Sequence, residues 1–203
     1  MRADIELVQK VKDGDQLAYS ELVTRHQQAL YRVIFRYVKD QDSTEDVVQE
    51  AFVKAYQKIH QFESRSSFKS WLFRIAINTA KNKLRANKKE HLKIEDVQIS
   101  RNAEAESALL KEAVKVKIKE EIEKLPMKQK TALTLRVFED MSFKEIAGIM
   151  ECPYDTAKAN YRHALMKLKA SLSGDELLSN WLSFTDEEEH ITERNTNTIK
   201  YDH

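Results

Sequence analysis

Apolar residues return at steps of three and four through most of this 203-residue chain, the period of an amphipathic helix. Leu22, Leu30, Val33, Ile34 and Tyr37 trace one such stripe and predict a helix from about Ala18 to Val38. Asp40 to Ser43 interrupts it. Ser43 or Thr44 is the candidate cap of the next helix, with Glu45 and Asp46 suited to its positive end. That helix is predicted to reach about His60, with Val48, Phe52, Ala55 and Ile59 on one face. Phe62 to Ser67 is serine-rich and reads as a loop. A further helix follows from about Phe68 to Lys88, its apolar side built from Trp71, Leu72, Ile75, Ala76 and Leu84.

From Glu90 to about Lys117 the stripe weakens and acids alternate with bases, which predicts a linker with partial helix, most helical near 103–116. Helical spacing resumes at Ile118, Ile122 and Leu125, and Pro126 punctuates it. Two short helices separated by a tight turn come next. Met141 to Met150 is the first, with Ser142 and Glu145 in the capping-box arrangement and Phe143, Ile146, Ala147 and Met150 turned inward. Glu151 to Asp155 is the turn, and the second helix is predicted to start at Thr156 and reach at least Leu168. On its wheel Ala157, Tyr161, Ala164 and Leu168 face in, while Lys158, Ala159, Arg162 and His163 face out; Asn160 lies on the flank. Small inner residues allow a close helix crossing, and a basic outer face suits a major groove. The pattern predicts an all-α protein of two small helical domains joined by a linker, the C-terminal one a helix-turn-helix.

Composition sharpens this. Three glycines and two prolines leave little to make tight hairpins or a phosphate-cradling loop. The six histidines, at 26, 60, 91, 163, 190 and 203, show no ligand spacing with acids, and Cys152 stands alone, read as a turn filler. Neither a catalytic group, a metal site nor a cofactor is expected. No apolar run approaches the roughly 18 residues of a membrane span, and no secretory signal opens the chain, so a cytoplasmic protein without membrane insertion is expected. The net charge of +1 hides a strong asymmetry. Ser64 to Lys89 contains no acid and carries Arg65, Lys69, Arg74, Lys81, Lys83, Arg85, Lys88 and Lys89, a footprint for phosphates. Residues 173–203 are acidic, with Leu177, Leu178, Trp181, Leu182 and Phe184 as a short amphipathic stretch. This tail reads either as a solubilising segment or as an internal mimic of nucleic acid.

Three blocks carry a family resemblance. Asp46-Val47-Val48-Gln49-Glu50-Ala51-Phe52-Val53-Lys54-Ala55-Tyr56 resembles the segment with which sigma factors grip RNA polymerase. Phe68-Lys69-Ser70-Trp71-Leu72-Phe73-Arg74-Ile75-Ala76-Ile77-Asn78-Thr79-Ala80 is similar to the promoter-melting segment of the extracytoplasmic-function (ECF) group. Leu125-Pro126, Ser142 to Ala147 and the turn from Pro153 to Lys158 resemble that group's second conserved domain. The resemblance implies sigma region 2 over 1–89, a linker over 90–117, sigma region 4 over 118–172, and an additional tail.

It also implies roles. Asp46, Gln49, Glu50, Val53 and Gln57 fall on one side of their helix and would meet the basic clamp helices of the polymerase's largest subunit, a mixed face suited to a protein partner. Ser64, Arg65, Ser66, Ser67, Trp71, Arg74, Asn78, Lys81, Lys83 and Arg85 would handle the −10 element, the serines beside Phe62 and Phe68 offering a pocket for a flipped base. Trp71 reads either as core or as a stacking surface. Arg136, Lys144, Thr156, Lys158, Ala159, Arg162 and His163 would meet the −35 element. Core RNA polymerase, including its flap, promoter DNA and an anti-sigma factor are the implied partners. Asp155 and Ala159 stand where the group usually has glycine and serine, which leaves the −35 sequence open. An autonomous helix-turn-helix regulator is the alternative, although it gives the first domain no task. A sigma-like adaptor for proteins only would not need the basic 64–89 stretch.

Overall fold

The computed structural model describes residues 3–90 and 106–172. Among them the regular elements are helical: α1 Asp4–Lys12, α2 Gln16–Val38, α3 Gln41–Gln57, α4 Phe68–Glu90, α5 Glu106–Lys124, α6 Met127–Val137, α7 Phe143–Met150 and α8 Tyr154–Leu172, with a 3-10 turn at Ile59–Gln61. The described residues divide into two compact units, one of residues 3–90 with 131–160, the other of 106–130 with 161–172.

In the first unit, α1 to α4 pack around one apolar core. Asp15 begins α2 by accepting the N–H of Leu17 at 2.9 Å, and the αL residue Lys39 ends it. The predicted stripe of α2, Leu22, Leu30, Val33, Ile34 and Tyr37, is buried throughout. The cap of α3 is Asp40, not Ser43 or Thr44. Its carboxylate accepts the Ser43 N–H at 2.8 Å, and this bond holds Asp40 below the usual carboxylate range. Thr44 instead lies buried inside the helix, its hydroxyl donating to the Asp40 carbonyl at 2.6 Å.

Helix α4 starts where its sequence predicts. Ser67 caps it, its hydroxyl accepting the Ser70 N–H at 3.1 Å. Its buried face is wider than the predicted stripe, because α1, α2 and α3 all pack on it. Phe73, Ile77 and Ala80 are fully buried beside Leu72 and Ala76, whereas Ile75 and Leu84 are only half-buried. A side chain the size of Phe73 contributes about 1.5–3 kcal/mol by leaving water.

The same unit contains α7. Ser142 and Glu145 form the predicted capping box, with Ser142 N–H donating to Glu145 Oε2 at 3.0 Å. Ile146, Ala147 and Ile149 are its buried residues, so Ile149 takes the inward place expected of Met150. The turn closes on Glu151, a left-handed residue with φ 55°, and on the Cys152 N–H, which donates to the Ala147 carbonyl at 3.1 Å. Helix α8 begins at Tyr154, two residues before the predicted start, which places Asp155 inside its first turn rather than in the preceding loop.

In the second unit, Ile122 and Leu125 of α5 are buried, as are Leu165, Leu168 and Leu172 of α8. Lys130 is buried too. Its ammonium donates to the Glu123 carbonyl and carboxylate, both at 2.8 Å, which compensates the charge taken out of water. The stretch predicted as a linker with partial helix is continuous helix from Glu106 onward.

Candidate polymerase and nucleic-acid interfaces

The three predicted surfaces can be followed residue by residue. On α3, the sequence from Asp40 winds a helix whose Val47, Ala51 and Ala55 are buried. The opposite side necessarily faces out. Asp46, Gln49, Glu50, Val53 and Gln57 are all exposed, Val53 by 55% and with Tyr56 beside it at 42%. An apolar centre among acids and amides is therefore present, and Tyr56 is a member that the sequence reading left out. Glu50 pairs with Lys54 at 2.6 Å, and Asp46 with Lys83 of α4 at 2.9 Å. Two residues read as belonging to different partners thus hold each other.

The loop before α4 carries Ser64, Arg65, Ser66 and Ser67, all exposed. Ser64 is left-handed at φ 58°, a conformation uncommon for a non-glycine residue, and Arg65 pairs with Glu63 at 2.7 Å. A cavity of about 230 Å³ opens beside the loop, lined by Ala3, Asp4, Ile5, Phe62, Ser66, Ser67 and Phe68. Its α1 wall had no signal in the sequence, because periodicity does not tell which helix end meets a distant loop. Asp4 is held there by Arg25 at 3.0 Å and His26 at 2.6 Å. Trp71 is half-buried against the rings of Phe62 and Phe68, with centroids 5.3 and 5.9 Å away. It is at once a wall of the aromatic cluster and partly open to solvent.

Further along α4, Arg74 and Arg85 are exposed, and Asn78, Lys81 and Lys83 half-buried. Asn78 donates to Glu151 at 2.9 Å. The absence of acids from 64 to 89 leaves every charged residue of the helix before Glu90 positive.

On α8, Ala157, Tyr161, Ala164 and Leu168 are buried and Ala159, Arg162 and His163 exposed, the division the wheel predicts. Thr156 is exposed and Lys158 half-buried. Asn160 bends back, its amide donating to the Thr156 carbonyl at 2.8 Å. Lys144 on α7 is exposed, whereas Arg136 is occupied, donating to the Met141 carbonyl at 3.2 Å and lying 5.5 Å from the centre of the Phe143 ring. Among the described residues no group of three or more His, Cys, Asp or Glu could hold a metal, and no helix is long and apolar enough to cross a membrane.

A helical chain with a helix-turn-helix, a basic helix beside an aromatic-lined cavity and a separate acidic face defines a DNA-binding protein with a protein partner. Residues 22–90 match the family Sigma-70 region 2, and residues 115–168 match Sigma-70, region 4. RNA polymerase sigma-H factor of Pseudomonas aeruginosa is 38% identical over 167 residues, 77% of this chain and 86% of that one. ECF RNA polymerase sigma-E factor of Escherichia coli K12 is 37% identical over 77% of this chain and 87% of its own. Among solved structures, the sigma factor RpoE with the anti-sigma factor NepR of Bartonella quintana aligns with a TM-score of 0.64 at 25% identity, covering 78% of this chain and 98% of that one. CnrH with the cytosolic domain of CnrY gives 0.63 at 25%, covering 86% and 100%.

The chain belongs to the ECF group of RNA polymerase sigma factors. Such a factor has no catalysis of its own; it joins core polymerase and directs promoter recognition, melting and transcription initiation.

Proposed function

We propose a division of that activity among the three surfaces. Asp46, Gln49, Glu50, Val53 and Gln57, joined by Tyr56, grip the clamp helices of the polymerase's largest subunit. The cavity between Phe62, Ser66, Ser67 and Phe68 receives a flipped −10 base, Trp71 and Asn78 border the upstream edge of the opening, and Arg65, Arg74, Lys81, Lys83 and Arg85 hold phosphates. Thr156, Lys158, Ala159, Arg162 and His163, with Lys144 and Arg136, serve the −35 element, and the polymerase flap meets the second family match. An anti-sigma factor is a further partner, as NepR is for the solved relative RpoE, and the chain works in the cytoplasm.

The observation that carries this reading is the cavity at the foot of a helix that carries no acid before Glu90. A flipped base needs aromatic or apolar walls with a few hydrogen-bonding groups, and the strand beside it needs cations; Phe62, Ser66, Ser67 and Phe68 line the cavity together with the start of α1, and the cations follow along α4. Asn78→Ala tests it. Permanganate reactivity on duplex promoters should fall about tenfold, an effect equivalent to one lost hydrogen bond to a charged or buried partner. Pre-melted templates should restore it. Equal defects on both templates would remove Asn78 from the melting step.

A further inference from the structure

The cavity beside the serine loop has one charged residue in its lining. Ala3, Ile5, Phe62 and Phe68 give it apolar and aromatic walls, Ser66 and Ser67 give it hydroxyls, and Asp4 gives it a carboxylate. An acid at the first residue of α1 favours the start of that helix, but Glu6 in the same turn already supplies such a charge. In a wall that a DNA strand approaches, a carboxylate also repels the phosphates. Asp4 therefore needs a reason beyond the helix it begins.

Asp4 is built into the cavity rather than left at a fraying end. Its Oδ1 accepts from Arg25 at 3.0 Å, and its Oδ2 lies 2.6 Å from His26 Nε2. Both partners are largely buried, with side chains 15% and 12% exposed. Arg25 also pairs with Glu21, and the His26 ring lies against Phe68, their centroids 5.7 Å apart. Farther along α1, Lys12 donates to the Phe62 carbonyl at 2.7 Å. The acid is thus fixed relative to both aromatic walls, as a recognition group must be. A carboxylate has about four acceptor positions, and Arg25 and His26 take up two of them. The others belong to a side chain that borders the cavity and keeps 26% of its surface exposed.

Such an acceptor chooses among bases. A flipped base is read along its Watson–Crick edge. Cytosine and adenine carry an exocyclic amine there, as does guanine, whereas thymine has a carbonyl oxygen in place of the cytosine amine. A carboxylate accepts from the amine, but it meets the thymine oxygen as one acceptor against another. We propose that Asp4 sets the base preference of the cavity, accepting from the exocyclic amine of a flipped base and turning thymine away, with Arg25 and His26 as its positioning residues. This rests on the reading of the cavity as the −10 base pocket.

The test uses the full chain assembled with core RNA polymerase and a pool of single-stranded DNA of randomised sequence, the bound strands being sequenced. Ser66→Trp fills the cavity and marks its base: preference should flatten at one position of the bound motif. At that position the wild type should disfavour thymine about tenfold against the best amine-bearing base, the effect of one good base contact. Asp4→Asn, whose amide donates as well as accepts, should bring thymine there to within about twofold, with the other positions unchanged. Asp4→Glu retains an acceptor-only group and should still turn thymine away. A wild-type preference for thymine at the marked position would overturn the proposal without any variant. So would a loss under Asp4→Asn that is equal for all sequences, or a return of thymine under Asp4→Glu, since either would leave Asp4 as a support of the wall alone. If Ser66→Trp alters no position, the −10 reading of the cavity falls as well. If it alters one and Asp4→Asn does not, that reading stands and only the role of Asp4 is lost.

Discussion

Helices α3 and α4 lie against each other in one core and turn opposite chemistry outward. Both bury alanines, Ala51 and Ala55 on α3, Ala76 and Ala80 on α4, all at 0% exposure. Small buried residues let a helix approach its neighbours closely. Outward, α3 carries acids and amides around Val53, and the ion pairs of Asp46 and Glu50 come from lysines at its margin. The outward groups of α4 are instead taken up by carboxylates from 139–151. Under the proposed roles, the difference teaches that a face for a large protein partner stays open, because its affinity comes from shape and apolar area as well as charge. A face for a polyanion is different: its isolated donors are easily satisfied by the chain's own acids.

The comparison breaks most drastically if the shared support is removed. Phe73, fully buried on α4, should cost about 3–5 kcal/mol when truncated to alanine, read from chemical denaturation, and both faces should be lost together. A loss below about 1 kcal/mol would mean that the core does not hold α4 in place. Reversing charge on one face alone should separate the two. Asp46→Lys with Glu50→Lys should lower affinity for core polymerase about 100-fold, since attraction to a basic surface becomes repulsion. The fold, followed by circular dichroism, should persist. Unchanged capture by core polymerase would take α3 out of the grip.

A third test extends the contrast to α8, whose outer face is exposed as that of α3 is. Arg162→Ala should cost about 1–3 kcal/mol on the preferred −35 sequence and relax selectivity at one position. A uniform loss across a −35 library would instead identify a phosphate contact. The smallest effect belongs to the start of α7. Ser142→Ala removes one side of the capping box and should destabilise the chain by about 1 kcal/mol. Chemical denaturation reads this loss, and an unchanged midpoint would mean that the box does not hold the start of α7.

Local patterns were enough to reveal much of this molecule. Helices α2, α3, α4, α7 and α8 and their order, the serine loop before α4, the capping box at Ser142 and the inner stripe Ala157, Tyr161, Ala164 and Leu168 follow from periodicity and turn chemistry, whereas α1 and α6 did not stand out in the pattern. These depend on residues within a turn or two of one another. The acidic tail and its amphipathic stretch, residues 173–203, lie outside the described residues. Where the reading departed from the fold, the deciding contact was usually remote. Ile149 and not Met150 is buried, and Phe73, Ile77 and Ala80 join the core, because other helices cover more of α7 and α4 than one stripe. The cap of α3 moved to Asp40 for a nearer reason: three neighbouring polar residues could each accept the first N–H groups, and only the chain's exit from α2 selects among them. Asp46 meets Lys83 across 37 residues, and Glu145 meets Ser70 across 75. A helical wheel states which side chains share a face. Which acid from elsewhere in the chain comes to rest on that face is decided only when the elements pack, since a charge finds its partner by distance in space and not along the chain.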